Sequence, residues 1–150
     1  LVNNAGVFDV IPFEKMGHKA WSKMIDVNLT GPYYVTQESL NALEEGERTV
    51  VINVASGAAR QGFPGNTAYC ASKYGLKGFG DALRIDLAEK GIRVVTVYPR
   101  GTDTTIFDDV PGDWDRSKMN TAEEVAEVIF SAVSASDEVT DLDVPPPAGA

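Results

Sequence analysis

The chain has 150 residues, of which 43% are hydrophobic and 23% charged, a composition that predicts one soluble globular domain with a substantial core. Its 22 acidic residues outnumber 13 lysines and arginines, and the net charge of −9 argues against binding to nucleic-acid phosphates. The single cysteine, Cys70, has no intramolecular disulfide partner, and no apolar stretch approaches the ~18 residues of a membrane span. We therefore expect a cytoplasmic protein that binds neither nucleic acid nor membrane.

The first six residues, "LVNNAG", resemble the end of a buried strand. Because a natural domain rarely starts at such a point, we expect that the N-terminal part of a longer protein is absent from this sequence. A helix is predicted next, over about residues 19–44, with Trp21, Ile25 and Leu29 among its apolar positions.

A proline interrupts the hydrogen-bonding pattern of this predicted helix. Pro32 has no N–H, so the backbone carbonyl of Asn28, four residues earlier, loses its helical partner. We expect a kink here, and a carbonyl that can hold a water molecule; taken alone, an ordinary proline kink explains the pattern equally well.

Two apolar runs, residues 48–56 and 91–99, are rich in Val and Ile and do not alternate with polar residues. This pattern is typical of strands that are buried on both faces of a parallel sheet. A helix over residues 67–90 lies between them and ends at Gly91. The alternation of strands and helices predicts an α/β fold with a doubly wound parallel sheet.

The remaining residues predict a polar loop, a helix, a strand and a tail. Thr121 and Glu124 have the spacing of a capping box, so the helix is expected to begin there. The expected segments are the loop 101–120, the helix 121–133, the strand 138–144 and a frayed tail over residues 145–150. The whole of residues 1–150 is expected to form a single domain.

The stretch "AYCASKYG" places Tyr69 and Lys73 four residues apart, on one face of the predicted helix. A cation beside a phenol favours the phenolate, so this spacing predicts a lowered pKa for Tyr69. A core tyrosine and a surface lysine would show the same spacing by chance. The expected position of the two residues is stronger evidence for a functional site than their spacing alone. They are predicted to lie at the carboxyl ends of the strands, where Ser56 and the segment 99–102 are expected too.

Five segments of the chain together resemble the short-chain dehydrogenase/reductase family. They occur in the family's order and are "NNAG" (3–6), "DVNLTG" (26–31), "INVASG" (52–57), "YCASK" (69–73) and "VYPRGTDT" (97–104). The resemblance covers essentially the whole chain, as the C-terminal two-thirds of a Rossmann-like family member. It implies that the first three strands and the glycine-rich phosphate loop are missing.

The resemblance implies a role for each matching residue at the reacting centre. Tyr69 would be the general acid/base for interconversion of a carbonyl and an alcohol, and Ser56 would hydrogen-bond the substrate oxygen. Lys73 would lower the pKa of Tyr69 and bind the nicotinamide ribose. The carbonyl of Asn28 would hold a water that links Lys73 to solvent.

The resemblance also implies NAD or NADP as the cofactor, together with Tyr69 and Lys73 among its contacts. Residues on the adenosine-ribose side would be Asn4, Ala5 and Gly6, and those on the nicotinamide side Pro99, Thr102 and Thr104. The segment that selects between NAD and NADP is expected to be missing. Arg100 stands where the family has glycine, and we expect its side chain to face solvent.

Other interpretations remain open at this stage. A nucleotide-sugar epimerase or dehydratase would also use Tyr-x-x-x-Lys, and a non-catalytic NAD(P)-binding protein or an inactive fragment would share the fold. We expect a small-molecule carbonyl or alcohol substrate, a homodimer or homotetramer, and no metal site. The aspartates of the loop, Asp103, Asp108 and Asp109, are attributed to a cover over the substrate.

Overall fold

In the computed structural model, which describes residues 1–147, four strands form one parallel sheet in the order β1-β2-β3-β4. The strands are β1 (Val2–Asn3), β2 (Val50–Val54), β3 (Arg93–Tyr98) and β4 (Asp141–Asp143). Ile52 is paired with Val2 on one side and with Val95 on the other. The predicted α/β fold with a parallel sheet is confirmed.

The helices are α1 (His18–Ile25), α2 (Gly31–Glu38), α3 (Leu40–Glu45), α4 (Thr67–Leu87) and α5 (Ala122–Ser134). The predicted capping box of α5 is confirmed, because Glu124 N–H donates to Thr121 Oγ1 at 3.1 Å and Thr121 N–H donates to Glu124 Oε2 at 2.8 Å. Of the tail expected to be frayed, residues 148–150 lie outside the described residues. The carbonyl of Pro145 accepts a hydrogen bond of 3.0 Å from Asn120 Nδ2.

The helix predicted over residues 19–44 is divided into three parts, and the first division lies at the kink expected near Asn28. A π-helical turn, Asp26–Thr30, separates α1 from α2, and Gly31 N–H donates to the carbonyl of Asp26 five residues earlier. Pro32 accounts for this turn, because it cannot supply the N–H that a regular helix needs at that position. A second break follows at Ser39, between α2 and α3.

The sheet is covered on both faces. On one face, Val50, Ile52 and Val97 pack with Val125 and Ala132 of α5. On the other face, side chains from β2 and β3 pack with α3 and α4; this group consists of Val51, Val94, Leu43, Leu87 and Ile92. Neighbouring residues of each strand therefore point to opposite layers, which is why the two strand sequences are mostly apolar.

A polar layer lies beneath α4, where the three strands carry Asn3, Asn53 and Thr96 in register. The side-chain amide of Asn3 donates to Asn53 Oδ1 at 2.9 Å and to Thr36 Oγ1 at 3.0 Å. A Cβ at Gly80 of α4 would lie 2.8 Å from Thr96 Oγ1 and 3.1 Å from Asn53 Nδ2. Gly80 therefore allows α4 to approach the sheet directly above this layer.

Substitution of Gly80 by alanine should lower the free energy of unfolding by about 1–3 kcal/mol, because the added methyl group overpacks a buried contact. The matched control is Gly78→Ala in the same helix, where an added Cβ meets no atom within 4 Å. That variant should be up to about 1 kcal/mol more stable, since alanine has the higher helix propensity. Urea unfolding measures both changes, and equal stabilities for the two variants would contradict the packing argument.

Candidate active site

The site candidates lie at the carboxyl ends of the strands. Ser56 lies two residues after the end of β2. The next residue, Gly57, donates its N–H to the carbonyl of Pro99 after β3 at 3.0 Å. Tyr69 and Lys73 belong to the first two turns of α4, which begins at Thr67. Because ligands of open parallel sheets bind at this edge, these residues lie where a binding site is expected.

Lys73 is 5% exposed, and its ammonium donates a hydrogen bond of 2.9 Å to the carbonyl of Val54 at the end of β2. Burial lowers the pKa of Lys73 to about 8, because the charged form has lost most of its contact with water. A Cβ at Gly6 would lie 3.7 Å from Lys73 Nζ and 3.5 Å from Asn28 Oδ1. The structure therefore brings Gly6, Asn28 and Lys73 together.

Tyr69 is partly buried, and Lys73 Nζ lies 5.9 Å from the centroid of its ring. Burial raises the pKa of the Tyr69 phenol, and the hydroxyl of Ser56 opposes part of this rise. The lowered pKa that the Tyr–Lys spacing predicts is therefore not found for this phenol, because desolvation is the largest effect on it. At neutral pH the phenol keeps its proton and can donate it.

Ser56 accepts a hydrogen bond of 3.1 Å from Ala58 N–H at the start of the 3-10 turn Gly57–Ala59. A hydroxyl also has one hydrogen to donate, so the side chain can still donate to a second oxygen. Sequence reasoning did not single out Arg60, which anchors the same segment. Its Nη1 donates to both carboxylate oxygens of Asp143 at 2.6 and 2.8 Å, and its guanidinium lies 3.8 Å from the Tyr98 ring centroid.

The side chain of Asn28 is fully buried and joins two parts of the site. Its Oδ1 accepts from Val7 N–H at 2.8 Å, and its Nδ2 donates to the Val7 carbonyl at 2.9 Å and to Ser72 Oγ at 3.0 Å. Ser72 Oγ in turn donates to the carbonyl of Tyr69 at 2.8 Å. Sequence reasoning missed Ser72, whose only signal was a polar residue directly before Lys73.

The candidates for cofactor contact lie around this centre. Asn4 and Ala5 are exposed, Gly6 is partly buried and Pro99 is buried. The hydroxyl of Thr102 donates to the Arg100 carbonyl at 3.2 Å, and the hydroxyl of Thr104 accepts from Ile106 N–H at 3.4 Å. The two threonines thus have local partners. Arg100 is exposed, as expected.

Neither a metal site nor a membrane-spanning helix is found within residues 1–147. That range contains no group of three or more His, Cys, Asp or Glu residues arranged to hold a metal ion. None of its helices combines the length and the apolar character needed to cross a membrane.

Comparison with known proteins agrees with this arrangement. A model of the short chain dehydrogenase family matches residues 1–113, and the chain belongs to that family. It is 32% identical over 139 residues to a 3-alpha-(or 20-beta)-hydroxysteroid dehydrogenase of Mycobacterium bovis, covering 92% of this chain and 54% of the relative. It is 30% identical to a 3-oxoacyl-(acyl-carrier-protein) reductase of Chlamydia muridarum, with 93% and 60% covered.

A solved short chain dehydrogenase from Burkholderia cenocepacia, in complex with NADP, superposes with a TM-score of 0.84 and 25% identity. The superposition covers 97% of this chain and 58% of that protein. The chain therefore spans about half the length of the curated relatives that it matches.

The lowered pKa of Lys73 predicts a pH-dependent stability. Between pH 8 and about pH 10.5 the folded state has released the proton that the unfolded state still holds, so the free energy of unfolding rises with pH. From pH 8 to pH 10 we expect a rise of about 2 kcal/mol relative to Lys73→Met. Urea unfolding across this range measures it.

The control is Lys77→Met in the same helix, which removes a lysine whose side chain is 37% exposed and paired with Asp81. This variant should keep the pH dependence of the unsubstituted protein. Parallel pH profiles for Lys73→Met and the unsubstituted protein would contradict the prediction.

Proposed function

We propose that the protein containing this chain is an NAD(P)-dependent oxidoreductase that interconverts a carbonyl and an alcohol by hydride transfer. The observation that carries the proposal is the meeting of a protonated phenol, a hydroxyl and a buried ammonium at the carboxyl ends of the strands, from Tyr69, Ser56 and Lys73. The names of the two curated relatives, a dehydrogenase and a reductase, support the same reaction class.

In the reductive direction, Tyr69 and Ser56 each donate a hydrogen bond to the substrate carbonyl oxygen. A nicotinamide cofactor held at this site would supply the hydride for the carbonyl carbon. As negative charge develops on the oxygen, the proton of Tyr69 passes to it, and the product is an alcohol. We assign to the Lys73 ammonium, which lies 5.9 Å from the centroid of the Tyr69 ring, the stabilisation of the resulting phenolate. In oxidation, the same phenolate takes the proton back.

The exposure of the residues expected around the cofactor supports the assignment of a dinucleotide to this edge of the sheet. The exposed Asn4 and Ala5 leave an open approach to Gly6, which has no side chain to cover the Lys73 ammonium. We assign the adenosine-ribose side to Asn4, Ala5 and Gly6 and the nicotinamide side to Tyr69, Lys73, Pro99, Thr102 and Thr104. The NADP in the Burkholderia protein supports this class of cofactor. Asn28 is assigned the water that connects Lys73 to solvent.

Tyr69→Phe in the full-length protein should lower turnover by about 10²–10⁴-fold, because the ring stays in place while the transferable proton is lost. Affinity for NADH or NADPH should change little. The measurements are steady-state reduction of a ketone panel and calorimetric titration with each dinucleotide.

Tyr74→Phe is the matched control, since it makes the same chemical change on the same helix at a side chain that is 45% exposed. It should leave turnover unchanged. Near-normal turnover of Tyr69→Phe would overturn the assignment. Tight dinucleotide binding without turnover by the unsubstituted protein would favour a non-catalytic role.

We also propose a cytoplasmic homodimer or homotetramer. Apolar side chains are exposed on α2, where Tyr34 and Val35 are 61% and 49% exposed, and on α4, where Ile85 is 77% exposed. Such faces are suited to pairing with a second copy of the chain.

Ile85→Glu should therefore shift the protein towards monomer in sedimentation velocity at micromolar concentration, because it places a charge in the apolar face. Phe13→Glu, at a side chain 74% exposed in a different segment, is the control and should leave the assembly intact. A monomeric unsubstituted protein would contradict the proposal.

A further inference from the structure

Three aromatic side chains form a cluster that contacts the ring of Tyr69 through one of its members, Phe8. The ring of Phe8 lies 4.8 Å from that of Tyr69, 5.5 Å from that of Phe107 and 5.8 Å from that of Trp114, each in an edge-to-face arrangement. Phe107 and Trp114 lie 4.9 Å from each other. All four rings are partly buried. Phe8 is therefore the centre of an aromatic cluster that reaches the reacting group.

The backbone on both sides of Phe8 is fixed by hydrogen bonds. The residue before it, Val7, forms hydrogen bonds with both its N–H and its carbonyl to the buried side chain of Asn28. Three residues after Phe8, Ile11 N–H donates to the carbonyl of Gly65 at 2.8 Å. The backbone around Phe8 is thus anchored on both sides of the ring.

Phe107 and Trp114 belong to a segment, residues 103–116, that is tied mainly to itself. Arg116 donates to Asp103 at 3.1 Å and to Asp108 at 2.6 Å, and Trp114 Nε1 donates to the Val110 carbonyl at 3.0 Å. The Arg116 side chain is 37% exposed, so its ion pairs lie at the surface and are weak. The segment can therefore move as a unit while its internal bonds stay intact.

We propose that Phe8, Phe107 and Trp114 form a specificity pocket for a carbonyl compound that carries an aromatic ring next to the carbonyl group. The inference rests on the proposed function, because the substrate oxygen must reach Tyr69. When the segment 103–116 moves away to admit a substrate, Phe107 and Trp114 lose their contacts with the ring of Phe8. An aromatic ring of the substrate, bound beside Phe8, forms new ring contacts in their place. A small aliphatic carbonyl cannot replace them.

The negative charge of the loop that carries Phe107 and Trp114 indicates which substrates the pocket would exclude. The loop from residue 103 to 118 carries five aspartates against Arg116 and Lys118. This excess of negative charge disfavours substrates with a carboxylate or phosphate group close to the ring. The pocket therefore selects uncharged aryl ketones or aldehydes, and the corresponding alcohols.

Acetophenone and butan-2-one are suitable probes in the full-length protein. We expect kcat/KM to be at least about tenfold higher for acetophenone. Phe8→Leu should remove this preference by lowering the acetophenone value more than the butan-2-one value, because ring contacts and buried area are lost. Phe8→Tyr keeps the ring and should keep the preference. Phe13→Ala, which removes an exposed ring of the same segment, should have no effect.

Binding of acetophenone, measured by ligand-observed NMR, tests the proposed pocket independently of the proposed reaction. Weaker binding to Phe8→Leu than to Phe13→Ala supports the pocket even if no ketone is reduced, in which case the proposed function fails alone. Equal binding to both variants, or equal kcat/KM for the two ketones in the unsubstituted protein, overturns the inference. Unchanged urea midpoints show that the variants are folded.

Discussion

The contact between α4 and the end of β2 is the constraint on which the site depends. Lys73 reaches from the second turn of α4 into the interior and donates to the carbonyl of Val54. A buried ammonium is costly unless it is hydrogen-bonded, so this contact is possible only where the helix lies close to the sheet. Gly80, further along the helix, allows that approach because a Cβ at this position would clash with the side chains of Thr96 and Asn53. Packing and chemistry are therefore coupled through one helix.

A second connection sets the position of the segment after β1 relative to α4. The carboxamide of Asn28 uses both its oxygen and its nitrogen, bonding Val7 on one side and Ser72 on the other. Because Ser72 lies between Tyr69 and Lys73, a shift of the π-helical turn would be passed on to both. This connection explains why an irregular helical turn is maintained at a fully buried position.

The two parts of the proposed site differ in how they are held. Tyr69, Lys73 and Phe8 are tied to buried backbone and side-chain groups, whereas the segment 103–116 is held mainly by surface ion pairs of Arg116. Groups that transfer a proton must keep their geometry, while a cover over the substrate must open and close. The difference in anchoring matches this division.

The sequence was sufficient for the strands, for the order of the elements and for the edge of the sheet where Ser56, Tyr69 and Lys73 lie. Apolar runs and Tyr-Lys spacing are local features, and local features are visible in a single sequence. The tertiary structure decided what depends on distant neighbours. It added the second break at Ser39 and bonded Lys73 to Val54. It also raised the pKa of Tyr69 by burial, where a nearby cation had predicted a decrease. It also placed Phe8 against Tyr69, because contacts between residues far apart in the chain arise only when the strands and helices pack together.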